Sequence, residues 1–158
     1  MKTRLYYVLY TIVVCMASSC SKEASNTTGT IEAESVIAIE QELLKVVNAH
    51  RIEIGNSVLE FSSVAYEYAG KHTDYMISRG DLNHDNFSNR ASDITTKVDA
   101  EFVAENIAKD YADASSVFQS WLKSSSHRKT IEGEFTHTAV SVKKDNKGNL
   151  YFTQLFYR

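Results

Sequence analysis

Three residues carry the chemistry worth explaining. In the stretch "EFVAENIAKDY", residues 101–111, Glu105 stands between Val103-Ala104 and Ile107-Ala108, where a strand or helix ordinarily buries carbon. His84 lies in "LNHDNFSNR" and His127 follows a run of three serines, 124–126. Neutral imidazole together with carboxylate is the ligand chemistry of a site for zinc or another transition metal. The members are 21 and 22 residues apart, and no HExxH pair sets two ligands on one helix, so spacing alone takes the reading only to a candidate site. The competing reading of Glu105 is structural: a buried carboxylate paired with an Arg, or a first-turn helix residue favoured by the helix dipole.

The other histidines read as structural. His50 and His72 fall on the apolar stripes of two helices, where an imidazole is ordinarily a hydrogen-bonded core or boundary group. His137 sits in a β-patterned run beside Val140 and Val142 and reads as a surface or sheet-packing residue. Ser120 to Lys123, "SWLK", fits the S-x-x-K nucleophile pattern, but neither K-T-G nor S-D-N accompanies it, and a Ser-His-Asp hydrolase lacks its G-x-S-x-G elbow.

These side chains need elements to position them. Apolar residues recur at Ile39, Leu43, Val46, Val47 and Ile54, which predicts a helix over 35–54 stopped by Gly55-Asn56. Ser62 is the expected N-cap of a second helix ending at Arg79, with Gly80 as its stop. Residues 80–100 read as a long surface loop with room for one short helix. "VAENIA" reads as a short strand, "DASSVFQSWLKS" as a helix capped by Asp113, and 136–157 as a hairpin turning at "DNKGN". Helix, helix, loop, strand, helix and two strands give an α+β layout, with helices packed on a small antiparallel sheet.

The N-terminus reads differently. "MKTRLYYVLYTIVVCMASSC" has basic Lys2 and Arg4, an apolar stretch too short to span a bilayer, and then small residues before Cys20. It resembles a lipoprotein signal, which predicts a leader over 1–20, acylation of Cys20 and a membrane anchor, with an ordinary secretory signal as the alternative. Residues 21–34 read as a flexible tether and 35–158 as the domain. Without the leader the chain holds no other cysteine, since Cys15 lies within it, so packing rather than disulfides must stabilise the domain. Loss of Lys2 and Arg4 leaves 15 basic against 20 acidic residues, net −5, a balance that excludes phosphate-driven nucleic-acid binding.

Taken in order, "VVNAHRIEIG", "YAGKHTDYMISRGDLNHDNFSNR", "AENIA", "WLKSSSHRKTIEGEFTHTAVSV" and "YFTQLFY" resemble the CAP superfamily of cysteine-rich secretory, antigen 5 and pathogenesis-related 1 proteins, in its bacterial SCP-like extracellular branch. The resemblance covers about 40–157. It implies an α-β-α sandwich with a small central antiparallel sheet between helical layers, and a cleft lined by two His and two Glu that often holds a divalent metal. Carried over, His84, Glu105 and His127 match three members of that tetrad, while the second Glu falls on Ser124. The family's "G-E-N" reads "A-E-N", with Ala104 for Gly.

The leader, together with the resemblance, implies an exported, membrane-anchored domain in a bacterial envelope, facing the periplasm or exterior. Its cleft is expected to bind a lipid, glycan, peptide or protein partner, with zinc as the most reasonable metal. The alternative is a metal-assisted peptidase or esterase in which Glu105, His84 or His127 acts; Ser124 in place of a carboxylate favours binding over catalysis.

Overall fold

The computed structural model describes residues 27–158, with side chains from residue 36 onward; Cys20, the leader and residues 21–26 lie outside the described residues. Helix α1 (Thr27–Glu53) is followed by the two-residue strand β1 (Glu60–Phe61) and helix α2 (Ser63–Arg79). Then come α3 (Phe87–Val98), β2 (Val103–Lys109), α4 (Ala114–Lys123), the short α5 (Ser125–Ile131), and the strands β3 (His137–Lys144) and β4 (Leu150–Tyr157).

The helix ends follow the residues that predict them. Ser62 is extended and its hydroxyl accepts the Ala65 N–H, while Gly80 at φ 68° closes α2 in the left-handed conformation that a residue without Cβ adopts freely. Asp113 and Ser116 form a reciprocal capping box at the start of α4. In the hairpin turn, the Asp145 carboxylate accepts the N–H groups of Lys147 and Asn149, and Gly148 takes φ 86°. Helix α1 begins at Thr27, ahead of the start at residue 35 that the apolar periodicity predicts.

The strand order is β1-β3-β4-β2. β4 pairs antiparallel with both β2 and β3, but β1 pairs parallel with β3, so the expected antiparallel sheet is corrected to a mixed one. The cause is the short segment after α1, which brings the chain back along the outer edge of β3 before α2 begins.

One sheet face carries α1, α4 and α5 over Ala108, Val140, Val142, Phe152 and Phe156, with Trp121 fully buried among them. The other carries α2 and α3 over Val103, Ala139, Leu155 and Tyr157, with Ala65, Ala69 and Ile94. Because successive strand residues point to opposite faces, Glu105 faces the α2–α3 layer and Asn106 the α5 layer. β2 is an edge strand, so both layers reach it. The architecture is the α-β-α sandwich the resemblance implies.

Candidate functional site

Strand β2 presents Glu105 opposite Leu155, beneath the loop that joins α2 to α3. Its side chain is 1% exposed, and burial opposes its ionisation. Three donors reverse that. His84 Nδ1 lies 2.8 Å from Oε1, and Arg90 clamps both oxygens from Nε and Nη2, each at 2.8 Å. Together these hydrogen bonds hold the Glu105 carboxyl below its ordinary value in spite of burial. Arg90 is itself buried at 7% exposure and also donates to the carbonyl of Asp85, so one guanidinium ties α3, the loop and β2 together.

Because Glu105 is ionised, it can only accept; His84 must therefore donate through Nδ1. That places a proton on Nδ1 of a half-exposed ring, and in the neutral ring Nε2 is then the acceptor. His72, on α2, adds a second imidazole: its Nε2 is 2.8 Å from the Asn83 carbonyl and 3.8 Å from Glu105 Oε1. Burial, ahead of the neighbouring charges, lowers the His72 pKa and keeps it neutral.

His127 arrives from the opposite layer. The sequence places His127 just past the Trp121 helix with no element of its own, but residues 125–131 form α5, with Ser124 both ending α4 and starting α5 and its hydroxyl against that of Ser126. The position expected to hold the second Glu is thus a helix junction. Asn106 Nδ2 donates to the His127 carbonyl at 3.1 Å, fastening α5 to β2, and the His127 ring tilts against Trp121 at 6.4 Å. Burial, and then the charge of His84, lower the His127 pKa.

The structure therefore brings His84 and Glu105 into direct contact and sets His127 in the opposite layer, without a hydrogen bond or ion pair to Glu105 among the described residues. His50 and His137 behave as read from sequence: His50 pairs with Glu132 at 3.0 Å and meets Phe118 edge-on, and His137 stacks on Tyr157 at 4.7 Å. The Ser120 hydroxyl of the discounted S-x-x-K pattern is engaged by Tyr111.

Sequence reasoning missed three participants. His72 was assigned to the core stripe, and it is in the core, yet it also borders Glu105. Arg90 and Asn106 were not singled out, although the need of a buried carboxylate for a cationic partner was the signal for the first.

A family model described as "CAP: Cysteine-rich secretory protein family" matches residues 44–156. The chain belongs to that family. It is 30% identical over 125 residues to the Bacillus subtilis (strain 168) protein named "Uncharacterized membrane protein YlbC", covering 75% of this chain and 34% of that one. Among solved structures it resembles an extracellular protein containing a SCP domain from Bacillus anthracis, with a TM-score of 0.71 and 25% identity over 80% of this chain and 42% of that one. It also resembles an outer surface protein of Borrelia burgdorferi, with a TM-score of 0.67 and 17% identity over 75% of this chain and 90% of that one. The chain thus spans about a third of the B. subtilis relative and 42% of the B. anthracis structure.

The metal that the family resemblance implies can be tested against this CAP domain's own donors. Glu105 spends both oxygens on Arg90 and one of them also on His84, and a divalent ion bound to either oxygen would stand against a guanidinium. Among the described residues, no three His, Cys, Asp or Glu side chains are grouped to hold an ion. The expected three-ligand set of His84, His127 and Glu105 does not fit a resident metal in this arrangement. What Glu105 does instead is orient His84, the supporting role a carboxylate takes behind an imidazole.

Proposed function

We propose that this CAP domain is a binding module of the bacterial envelope, held to a membrane through a lipid on Cys20, and that it captures its ligand where α5 and the α2–α3 loop flank the edge strand. The observation that carries this reading is the saturation of Glu105. With a bidentate Arg90 and a donated His84 proton, its carboxylate is neither an available base nor an available ligand, and its chemistry is spent on fixing the walls of the site.

A cavity of about 390 Å³ beside β2 supports the reading. Phe102, Ala104 and Phe135 give it an apolar lining, Thr130 and Lys129 of α5 border it within one turn of His127, and Arg158 stands at its rim. Sites of this size and lining bind ligands through apolar area and use a few polar groups for orientation. The envelope placement draws on the leader-like N-terminus and on two similar proteins, one named a membrane protein and one an extracellular protein.

One observation favours hydrolysis as the second reading: a carboxylate-oriented His84 with a free Nε2 has the form of a general base with its orienting group. The discriminating experiment exposes the mature domain to an envelope extract and examines it by native mass spectrometry, beside a panel of peptide and ester substrates assayed with and without chelator. Binding predicts a retained species in the wild type that is lost in the His84→Ala/His127→Ala double variant, with every substrate left intact. Turnover that His84→Ala abolishes would contradict it.

A further inference from the structure

Strand β2 forms one edge of the sheet, and its register against β4 shows which of its main-chain groups are already paired. Phe102 and Arg158 exchange hydrogen bonds at one end, and the Asp110 N–H bonds to the Leu150 carbonyl at the other. Alternation between these two points makes Ala104, Asn106 and Ala108 the residues that bond to β4, and it turns the N–H and C=O of Val103, Glu105 and Ile107 outward. The Trp121 indole takes the Ile107 carbonyl at 3.1 Å, which closes the row on that side. The main chain of Glu105 has no hydrogen-bond partner among the described residues.

That main chain is also open to solvent. Glu105 is half-buried as a residue although its side chain is 1% exposed, so the part of it that reaches water is the backbone. An outward N–H and C=O on an extended edge strand are a template for one more strand. An acyl chain satisfies neither group and an anion only the N–H, whereas an extended peptide answers both at once.

The surroundings indicate which peptide. In a strand added to β2, the residue opposite Glu105 shares its face and meets the half-exposed His84, while the residues on either side of it fall on the face of Ala104. Ala104 lines the cavity of about 390 Å³ with Phe102 and Phe135, and Phe102 is 53% exposed, so an apolar side chain has a seat on that face. Lys129 of α5 borders the same cavity. Neither it nor the adjoining Arg128 enters an ion pair among the described residues, whereas Arg158 at the rim is met by Glu134 at 3.3 Å. An unpaired cation beside an apolar seat favours an acidic side chain next to the apolar one.

We infer that the ligand of the cleft is an extended peptide. It pairs its main chain with the outer edge of β2 at Glu105, seats an apolar side chain in the cavity beside Ala104, and sets an acidic one, two residues away on the same face, against Lys129. The inference rests on the binding reading above and names the class of ligand for that site.

The test uses capped hexapeptides of Thr and Ser that carry one Leu or Phe two positions from one Glu, titrated into the mature domain and followed by amide chemical shifts and hydrogen exchange. At least one is expected to bind saturably with a dissociation constant of about 0.1–1 mM, moving the Glu105 amide and slowing its exchange. N-methylating one alternate set of its nitrogens is expected to weaken binding more than about tenfold, and methylating the other set to leave it unchanged, a parity that strand pairing produces. Lys129→Glu, at an exposed position, is expected to weaken the Glu peptide about tenfold and to spare its Gln counterpart. Failure of every peptide to bind, equal loss from both methylation sets, or Glu105 exchange slowed by self-association in their absence would each overturn the inference. Should the envelope extract then still yield a retained species that is not a peptide, the binding reading stands without it; a peptide cleaved by the domain overturns both.

Discussion

Breaking the Glu105–Arg90 pair is the most informative perturbation of this CAP domain. Arg90→Met keeps a chain of similar length in a nearly buried position and removes both guanidinium bonds, leaving an ionised Glu105 with His84 as its remaining donor. A carboxylate that is 1% exposed and stripped of its main counter-charge costs about 3–5 kcal/mol. Against a total stability of about 5–15 kcal/mol this is a large share, equivalent to a fall of about 12–20 °C in melting temperature for a domain of this size.

Glu105→Leu alone reverses the problem by stranding Arg90. The double variant Arg90→Met/Glu105→Leu removes both charges and should return to within about 2 kcal/mol of the wild type, the residue of the loss being the freed His84. Urea denaturation of all four proteins at pH 7 measures the coupling directly. A loss below about 1 kcal/mol for Arg90→Met, the range of an exposed pair, or a double variant as unstable as the two single losses added, would refute the account.

The pH dependence follows from the same pair. The folded Glu105 carboxyl lies below its unfolded value of about 4.3, so its contribution is complete above that pH and is lost as the pH falls through the folded value; the double variant should lack this acid-dependent component. His72 and His127 are both lowered on folding, so the wild type should lose stability as pH falls below about 6.5, and a His72→Asn variant should show a shallower decline in thermal melts between pH 7 and 5. Asp113→Ala removes the capping box of α4 and should cost about 1 kcal/mol by urea denaturation. Gly133→Ala would place a Cβ 2.7 Å from the Phe135 ring and 3.2 Å from the Lys129 carbonyl, so a loss of about 1–3 kcal/mol is expected in the same assay. Zinc titrated calorimetrically into the mature domain should give small heats that Glu105→Gln does not diminish, since Glu105 is no ligand; a heat abolished by that variant would restore the three-ligand set.

Much of the scaffold was legible because local chemistry and tertiary structure agree. Ser62, Gly80, Asp113 and the Asp145–Asn149 turn each mark an element boundary by a side-chain hydrogen bond or a left-handed residue, and each stands where the sequence predicts. The sequence predicts α3 only as a short helix in a loop, yet it runs twelve residues; its buried residues are Arg90 and Ile94, so the apolar stripe that advertises a helix is half polar. β1 is two residues long with both side chains exposed, and α5 is hidden because Ser125 and Ser126 open it in place of helix-favouring or apolar residues.

The site was half legible. Strand alternation puts Val103 and Ile107 on the face of Glu105 and Asn106 on the other, but which partner answers a buried carboxylate is a tertiary fact. Arg90, fifteen residues earlier, supplies it, and the metal reading recedes for that reason. His127 stands in the second layer, where Asn106, facing away from Glu105, binds its carbonyl and Ile131 anchors α5 in the core.

The central claim is that Glu105 is an anchor that fixes His84, and the side-chain nitrogens of His84 report it most directly. A long-range proton–nitrogen spectrum of the mature domain, taken at a pH where its imidazoles are neutral, should show His84 protonated at Nδ1 with Nε2 bare, and Glu105→Gln should abolish that preference. A His84 ring protonated at Nε2 in the wild type, or one indifferent to the Glu105 substitution, would contradict the account.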